Sequence, residues 1–382
     1  MAALILWLCI GGVAYTYAGY PLAIAALARW AGRSVRKGPV GCGFSVVMAA
    51  HNEAARLPAK VRSILAARGV GSLVEVLIGS DGSTDQPGRV VEELGDPRVR
   101  VVSFPEQRGK PAVLNDLMAQ ARGEIVVMMD ARQEVDPGVF EALLANFADA
   151  TVGVVSGELV FRTSAQATAT AHGMDAYWRY EKWLRRQEAR FRSVPGATGA
   201  VYAVRRALYR PLAAETLLDD VAVPMNAIRQ GYRCVFESDA VVFDHPSVDL
   251  AQEATRKRRT LAGSAQLVQL LPWVINPRQN PIWFEFVSHK LLRLAVPWML
   301  TALLAANLAL AHEPFYRALL AGQALFYALA AAGWLAAHLG RRGGWWSVPY
   351  LFLSLNAVTL LAVLDVVLGR TRVTWSRKAA SR

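Results

Sequence analysis

Glu124–Asp136 reads EIVVMMDARQEVD, and the fold follows from how this stretch is taken. Glu124 to Met129 reads as a buried strand, and Asp130 stands where that strand runs out. Upstream, Val74–Asp85 (VEVLIGSDGSTD) repeats the plan, with a strand over Val74–Ser80 followed by Asp81. Downstream, LLDDVAVP supplies the pair Asp219 and Asp220. Acidic residues at the carboxyl ends of strands lie where an open α/β sheet binds its ligands.

Working outward, strands and helices alternate. Phe44–Ala50 (FSVVMAA) reads as a buried strand, and His51, Asn52 and Glu53 form a polar break. Pro58–Ala67 has helical spacing, Arg98–Phe104 reads as a strand, Gln107-Arg108-Gly109-Lys110 as a loop and Pro111–Ala121 as a helix. Val152–Phe161 is a further strand, and Thr168–Phe191 a long polar helix carrying Tyr177, Trp178, Tyr180, Glu181 and Trp183. The small-residue loop Gly196-Ala197-Thr198-Gly199-Ala200 follows. Asp219 and Asp220 open a helix running to about Gln230, which Gly231 stops. Arg233–Glu237 reads as one more strand. This alternation predicts βαβ units and a parallel sheet.

The remainder has another character. The chain of 382 residues is 54% hydrophobic and 19% charged, with a formal net charge of +12, and its mean hydropathy is +0.25. That is too apolar for an ordinary soluble enzyme. Leu4–Ala28 is almost free of charge, and Arg29, Arg33, Arg36 and Lys37 follow it. A signal peptide has the reverse order, so a retained span is expected, with the following segment in the cytoplasm. Thr255–Thr260 (TRKRRT) is a basic cluster. Leu261–Lys290 is apolar but broken by Pro272, Asn276, Pro277, Asn280 and Pro281, which predicts interfacial helices with Trp273 and Trp283 at headgroup level. Three runs can span a bilayer: Leu291–Ala311, Arg317–Leu339 and Trp345–Leu368.

The expected organisation is therefore an N-terminal span with its basic flank over 1–37, a catalytic domain over 38–255, the basic cluster and interfacial helices over 256–290, three spans over 291–370 and a basic tail over 371–382. Four spans conflict with the positive-inside tendency at the tail, where Arg370, Arg372, Arg377, Lys378 and Arg382 would fall outside. The three cysteines, Cys9, Cys42 and Cys234, are widely spaced and form no CxxC, which argues against a disulfide framework or a zinc site. No basic run is interleaved with aromatics, so no nucleic-acid partner is expected.

Several residues can carry chemistry. Asp81, followed by Gly82 and Ser83, can accept hydrogen bonds from a base or ribose, or simply shape a turn; Asp85 can cap the next one. Asp130 can hold Mg²⁺ or Mn²⁺, which favour carboxylates, or cap a helix. Asp219 and Asp220 suit a helix N-terminus by charge alone, and one of them can equally serve as a general base. Lys110 after Gly109 can touch phosphate, and Arg256-Lys257-Arg258-Arg259 can clamp a diphosphate or lie on anionic lipid. Walker A, GxGxxG, HExxH and GxSxG sequences are missing, and His245 in FDHP is the histidine nearest a candidate site.

Taken in order, SVVMAAHNE, IGSDGSTD, GKPAVLNDLMAQARGEIVVMMDA, GATGAVYAVRR, LDDVAVPMNAIRQGY and SHKLLR resemble the membrane-embedded family 2 glycosyltransferases, which include hyaluronan and cellulose synthases and ceramide glucosyltransferases. The likeness covers Phe44 to Arg293. It implies an α/β GT-A fold, the Rossmann-like nucleotide-diphospho-sugar transferase domain, joined to an α-helical transmembrane region. It further implies that Glu53 and Asp81 hold the nucleoside, that Lys110 and Arg259 lie along the nucleotide-sugar, and that Asp130 is the metal aspartate for Mg²⁺ or Mn²⁺. Gly196, Ala197, Thr198 and Gly199 with Asp219 would form the acceptor side, and Asp220 would be the base of an inverting displacement. The expected partners are a nucleotide-diphospho-sugar donor (a UDP-sugar), a lipid or glycan acceptor and membrane lipids. The expected location is the bacterial cytoplasmic membrane, with the catalytic domain facing the cytoplasm.

Two departures stand out. The family's Asp-x-Asp metal motif reads Asp130-Ala131-Arg132 here, a cation replacing the second carboxylate. The QxxRW signature of processive synthases is reduced to Arg256-Lys257-Arg258-Arg259-Thr260, without glutamine or tryptophan. Single transfer is therefore expected, against the alternatives of a processive exopolysaccharide synthase and of a catalytically inactive nucleotide-sugar-binding scaffold.

Overall fold

The computed structural model describes residues 1–162, 169–244, 250–339, 344 and 346–371, and for 169–177 and 250–254 the backbone alone. His245, Arg341, Arg342, Trp345, the tail from Arg372 and the Tyr177 side chain lie outside the described residues.

One eight-stranded sheet organises residues 44–244, in the order β3-β2-β1-β4-β7-β6-β8-β5. The strands are β1 Phe44–Ala50, β2 Leu73–Asp81, β3 Val99–Phe104, β4 Ile125–Met129, β5 Glu134–Val135, β6 Val152–Phe161, β7 Val201–Arg205 and β8 Arg233–Asp244. Every residue of β1 and β4 is buried, as their almost wholly apolar runs require of strands covered on both faces. Val46, Val47, Val76, Leu77, Val126 and Val127 are fully enclosed. Each such side chain contributes about 1.5–3 kcal/mol.

The expected parallel sheet is only half right. β3, β2, β1 and β4 run parallel, but β7 enters antiparallel to both β4 and β6. β6 and β8 are parallel, and β5 closes the edge antiparallel to β8. The sheet is therefore mixed. β8 also continues well past Glu237, because its register against β6 slips between Ser156 and Glu158 and absorbs Ser238 and Asp239 as an irregularity. β1 has β2 on one side and β4 on the other. The chain thus reverses its direction of build at the β1/β4 carboxyl ends, where a cleft opens.

Among the described residues four helices are long and apolar enough to cross a membrane: Ala2–Ala31, Trp283–Ala309, Pro314–His338 and Ser347–Val367. The second starts at Trp283 rather than at Leu291, since Asn280 and Pro281 precede it instead of interrupting it. It follows a helix over Leu250–Leu270 and a short turn over Pro272–Ile275, so the basic cluster is helical. Trp273, expected at headgroup level, is buried beneath Arg229, whose guanidinium lies 5.1 Å from its ring centre. The first two spans each contain one π-helical turn, Tyr15–Gly19 and Val287–Leu291. The two turns meet where Tyr15 Oη and Ser288 Oγ lie 2.9 Å apart.

The helix Ala169–Phe191 joins sheet and spans through buried polar groups. Tyr20 donates to Glu188 at 2.6 Å, and His289 Nδ1 is 2.7 Å from the same carboxylate oxygen. His289 Nε2 lies 3.2 Å from Glu181, which also pairs with Arg293. One imidazole thus sits between two carboxylates at the seam, and Arg192 adds an ion pair to the buried Glu285 at 3.1 Å. Directional contacts of this kind fix the register of two surfaces that apolar packing alone would let slide.

Candidate active site

The cleft encloses about 350 Å³. β1 ends in it with Ala49 and Ala50, followed by His51 and Glu53; β4 ends in it with Asp130, Ala131, Arg132 and Gln133. Two helices point their N-termini at it, Lys110–Gln120 through Lys110 and Asp219–Arg229 through Asp219 and Asp220. Arg256, Arg259 and Thr260 of the helix Leu250–Leu270 form the remaining wall. Unpaired N–H groups and the positive end of the dipole make helix starts suited to anions.

Lys110 is the centre of the arrangement. Its Nζ lies 3.0 Å from Asp130 Oδ1 and 3.1 Å from Asp219 Oδ1. Burial alone would push the ammonium down, but Asp130 and Asp219 outweigh it and hold the pKa above the ordinary lysine value. Asp219 is buried and also accepts a hydrogen bond from Tyr202 on β7 at 3.2 Å. Asp220, next along the first helical turn, is only half-buried. Burial and then Asp219 raise its pKa, Lys110 and Lys290 oppose them, and the result is about 6. A carboxylate poised there is a proton acceptor near neutral pH.

The loop 196–200 stands against this pair. Ala197 N–H donates to the Asp220 carbonyl at 2.6 Å, and Asp130 N–H reaches the Ala200 carbonyl at 3.4 Å. Thr198 Oγ1 accepts from Arg185 at 2.7 Å, and the Gly196 carbonyl accepts from the same guanidinium at 3.3 Å. Gly199 lines the cleft so close to Asp220 that a Cβ there would lie 3.0 Å from Oδ2.

Other expected residues take different positions. Asp81 is fully buried and is not among the cleft-lining residues. Its two oxygens accept the N–H groups of Arg108 and Gly109 at 2.6 and 2.9 Å, so it holds the loop that delivers Lys110. Gly82 beside it has φ +60° and leaves no room for a side chain, since a Cβ would fall 2.6 Å from Gln107 N. Glu53 lines the cleft and pairs with Arg56 at 2.5 Å. Arg259 lines it as an exposed side chain.

Arg132 is the residue that differs from an Asp-x-Asp motif, and its guanidinium is engaged by Asp244 at the end of β8. Asp244 is buried and also accepts from Gln133 Nε2 at 3.2 Å. Behind them lies Lys60, 3% exposed, donating to the Gln133 carbonyl at 2.8 Å. Burial brings its ammonium down to about 8 against the pull of Asp130 and Asp244. Lys60, Tyr202 and Asp244 had no signal in the sequence beyond their place in otherwise ordinary helix and strand segments.

For a divalent ion the protein's own donors are few. No group of three or more His, Cys, Asp or Glu suited to a metal occurs among the described residues. Asp130 lines the cleft with 38% of its side chain exposed. One carboxylate with substrate phosphates completing the shell is an ordinary Mg²⁺ arrangement, so the donor set fits a metal carried in with a diphosphate.

A strand-end acidic cleft on a mixed Rossmann-like sheet, faced by helix N-termini and arginines, is the architecture of a GT-A nucleotide-sugar transferase domain. Residues 45–212 match the model of Glycosyl transferase family 2, and the chain thus carries a domain of that family of transferase enzymes. It is 27% identical over 177 residues to an N-acetylglucosaminyltransferase of Mesorhizobium japonicum, covering 46% of this chain and 41% of that one. It is 31% identical over 116 residues to the succinoglycan biosynthesis protein ExoO of Rhizobium meliloti, covering 30% and 33%. The chain spans less than half the length of either relative. Among solved structures, the mannosyltransferase PcManGT of Pyrobaculum calidifontis, in complex with GDP-Man and Mn²⁺, superposes with a TM-score of 0.72 over 96% of this chain and 100% of that one, at 23% identity. At that identity the likeness establishes a shared fold.

Proposed function

We propose that this chain is an inverting membrane glycosyltransferase that moves a sugar from a nucleotide-diphospho-sugar to a hydroxyl of a lipid or glycan acceptor. The observation that carries the proposal is the grouping of Asp130, Lys110, Asp219 and Asp220 in one cleft, with the Asp220 pKa raised to about 6.

In this mechanism Asp220 takes the proton of the acceptor hydroxyl. The oxygen attacks the anomeric carbon from the side opposite the diphosphate, the glycosidic oxygen–carbon bond forms as the carbon–phosphate-oxygen bond breaks, and the configuration inverts. Asp219 does not react; it holds Lys110 against Asp130. Lys110, the N–H groups of its helix and Arg259 stabilise the charge that grows on the departing nucleoside diphosphate. Asp130 would hold a Mg²⁺ or Mn²⁺ ion, which when bound supplies Lewis-acid neutralisation of that diphosphate. Arg132 is paired with Asp244, which offsets part of the charge it would bring to the cleft. Glu53, which lines the cleft, would meet the nucleoside, and Asp81 would act by holding the 107–110 loop.

Donor, acceptor and metal identity follow by analogy. PcManGT binds GDP-Man with Mn²⁺, so a nucleotide-sugar is the donor class, with UDP-sugars the first to try. Thr260 lines the cleft beside Arg259 where a processive synthase carries tryptophan, which favours a single transfer. The four apolar helices would place the domain at a bacterial cytoplasmic membrane, facing the cytoplasm.

The test is to offer the purified chain a panel of nucleotide-sugars with membrane lipid extract and identify the product by mass spectrometry. One glycosylated product of inverted configuration, lost in Asp220→Asn while nucleotide binding persists, is the expected result. A product ladder would point to processive synthesis, and unchanged turnover in Asp220→Asn would refute the base.

A further inference from the structure

The helix Leu250–Leu270 is built with two working faces. At about 100° per residue, Arg256, Arg259, Thr260 and Gly263 fall on one side, and Arg258, Leu261, Ala262 and Ala265 on the other. The first side meets the cleft. Arg256, Arg259 and Thr260 line it, and Gly263 lies so close to the Leu218 side chain that a Cβ would come within 2.4 Å. The second side meets the last span. Ala262 packs with Ala362 and Val366 of that span and with Leu217, and Leu261 and Ala265 flank them.

The two halves of the helix are fixed differently. Toward its C-terminal end, Gln266 accepts from Leu217 N–H at 3.0 Å and donates to the Glu215 carbonyl at 2.8 Å, binding the segment that runs into Asp219. At the level of the basic cluster the link is to the membrane. Arg258 Nε and Nη2 reach Asp365 Oδ2 and Oδ1 at 2.5 and 2.7 Å, a two-pronged pair with the carboxylate 19% exposed. Four consecutive cations, Arg256 to Arg259, repel one another on this half. Asp365 offsets that charge on the face away from the cleft, and the fork fixes rotation about the helix axis as well as distance.

We propose that Asp365 is a positioning residue for the donor pocket: through Arg258 it sets the rotation of the helix that presents Arg256 and Arg259 to the diphosphate, and so couples the cytoplasmic end of the last span to donor binding. The proposal rests on reading the cleft as the donor site. It predicts a defect confined to phosphate recognition, because Arg256 and Arg259 are the charges this helix brings to the cleft, while Glu53 at the β1 end is the residue assigned to the nucleoside.

The experiment measures binding of mant-UDP and mant-GDP to the full chain in detergent with Mn²⁺ present, using whichever nucleotide binds and competing it with the free nucleoside. Asp365→Asn should weaken the nucleoside diphosphate about three- to fivefold, the worth of one well-formed, partly exposed bidentate pair, and leave the nucleoside unchanged. The reversed pair Arg258→Asp with Asp365→Arg should restore tight binding, which a variant that merely unfolds cannot do. In an Arg256→Gln, Arg259→Gln background, Asp365→Asn should add nothing. If Arg259→Gln weakens the diphosphate and Asp365→Asn does not, the coupling is refuted and the donor site stands. Equal weakening of diphosphate and nucleoside, or failure of the reversed pair to restore binding, also refutes it. Absence of nucleotide binding in the unmodified chain overturns the donor reading and the coupling together.

Discussion

The two charged neighbours of Asp220 should move its pH profile in opposite directions. Asp220 titrates at about 6, raised by burial and by Asp219 and lowered by Lys110. The base must be ionised, so kcat/KM should rise about tenfold per pH unit below that value and level off above about pH 7. Asp219→Asn removes a neighbour that raises the pKa, and the acid limb should move to lower pH. Lys110→Gln removes a neighbour that lowers it, and the limb should move to higher pH, whatever the change in plateau rate. The assay is initial-rate transfer between pH 4.5 and 9 with donor and acceptor below saturation (about two units either side of the base and of neutrality). Limbs that stay in place, or move the same way, would refute Asp220 as the base coupled to this pair. Folding stability has the opposite sense. A folded pKa above the ~3.9 of an unfolded aspartate means that the native state binds the proton more tightly. This contribution is complete below the unfolded value and is lost as pH rises through about 6. Asparagine is never charged, so Asp220→Asn should melt higher than the parent at pH 8, by about 1–2 kcal/mol after allowing for the solvent that reaches the half-buried group, and equally at pH 4.

Other expectations concern the metal, the motif and the seam. Excess chelator should abolish transfer, with Mn²⁺ or Mg²⁺ restoring it; full activity in chelator would remove Asp130 from the role of metal ligand. Arg132→Ala removes one cation from the buried Asp244, which keeps its hydrogen bond from Gln133 and the attraction of Lys60, and should cost about 1–2 kcal/mol by denaturant or thermal melting, whereas Arg132→Ala combined with Asp244→Ala should recover part of that loss. His289→Ala strips one partner from each of Glu181 and Glu188 and should lower the melting temperature of the detergent-solubilised chain. An unchanged melting temperature would mean that the seam is not held by this network.

The sequence displayed the sheet's first half clearly because β1, β2 and β4 are largely apolar runs, broken only by Ser45 in β1 and Glu75 in β2, that end in a polar break. β7 was hidden: Val201–Arg205 is only five residues long and follows directly on a loop of small residues. Its antiparallel entry turned an expected parallel sheet into a mixed one. The last strand was expected to end at Glu237, where Ser238 and Asp239 interrupt the apolar run, and with that went the route to Asp244. In the site, the acidic residues were legible from their strand-end and helix-start positions. That one ammonium, Lys110, ties Asp130 to Asp219 was not, since the three lie far apart in the chain and meet only through the fold. Lys60, within the helix expected over Pro58–Ala67, carried no mark of its burial. The spans were countable from apolar length, but the start of the second was obscured by prolines and asparagines that turn out to precede it.

The paired π-helical turns at Tyr15–Gly19 and Val287–Leu291 bear on how such a chain can change. Each turn holds one residue more than an α-helical turn would, so the extra residue is absorbed locally within its span. Deleting a single residue there would let the helix close up as plain α-helix with the segments on either side near their present phase, whereas the same deletion in an α-helical stretch of these spans would turn everything beyond it by about 100°. After a deletion of the second kind Tyr20 would leave Glu188, or His289 would leave both glutamates, although no contacting residue had been replaced. The π-helical turns are thus where a one-residue shortening is tolerable, and the α-helical stretches are where it is not. The lengths of the two spans, counted from membrane to seam, are as much a part of the catalytic domain's placement as the side chains that bind it.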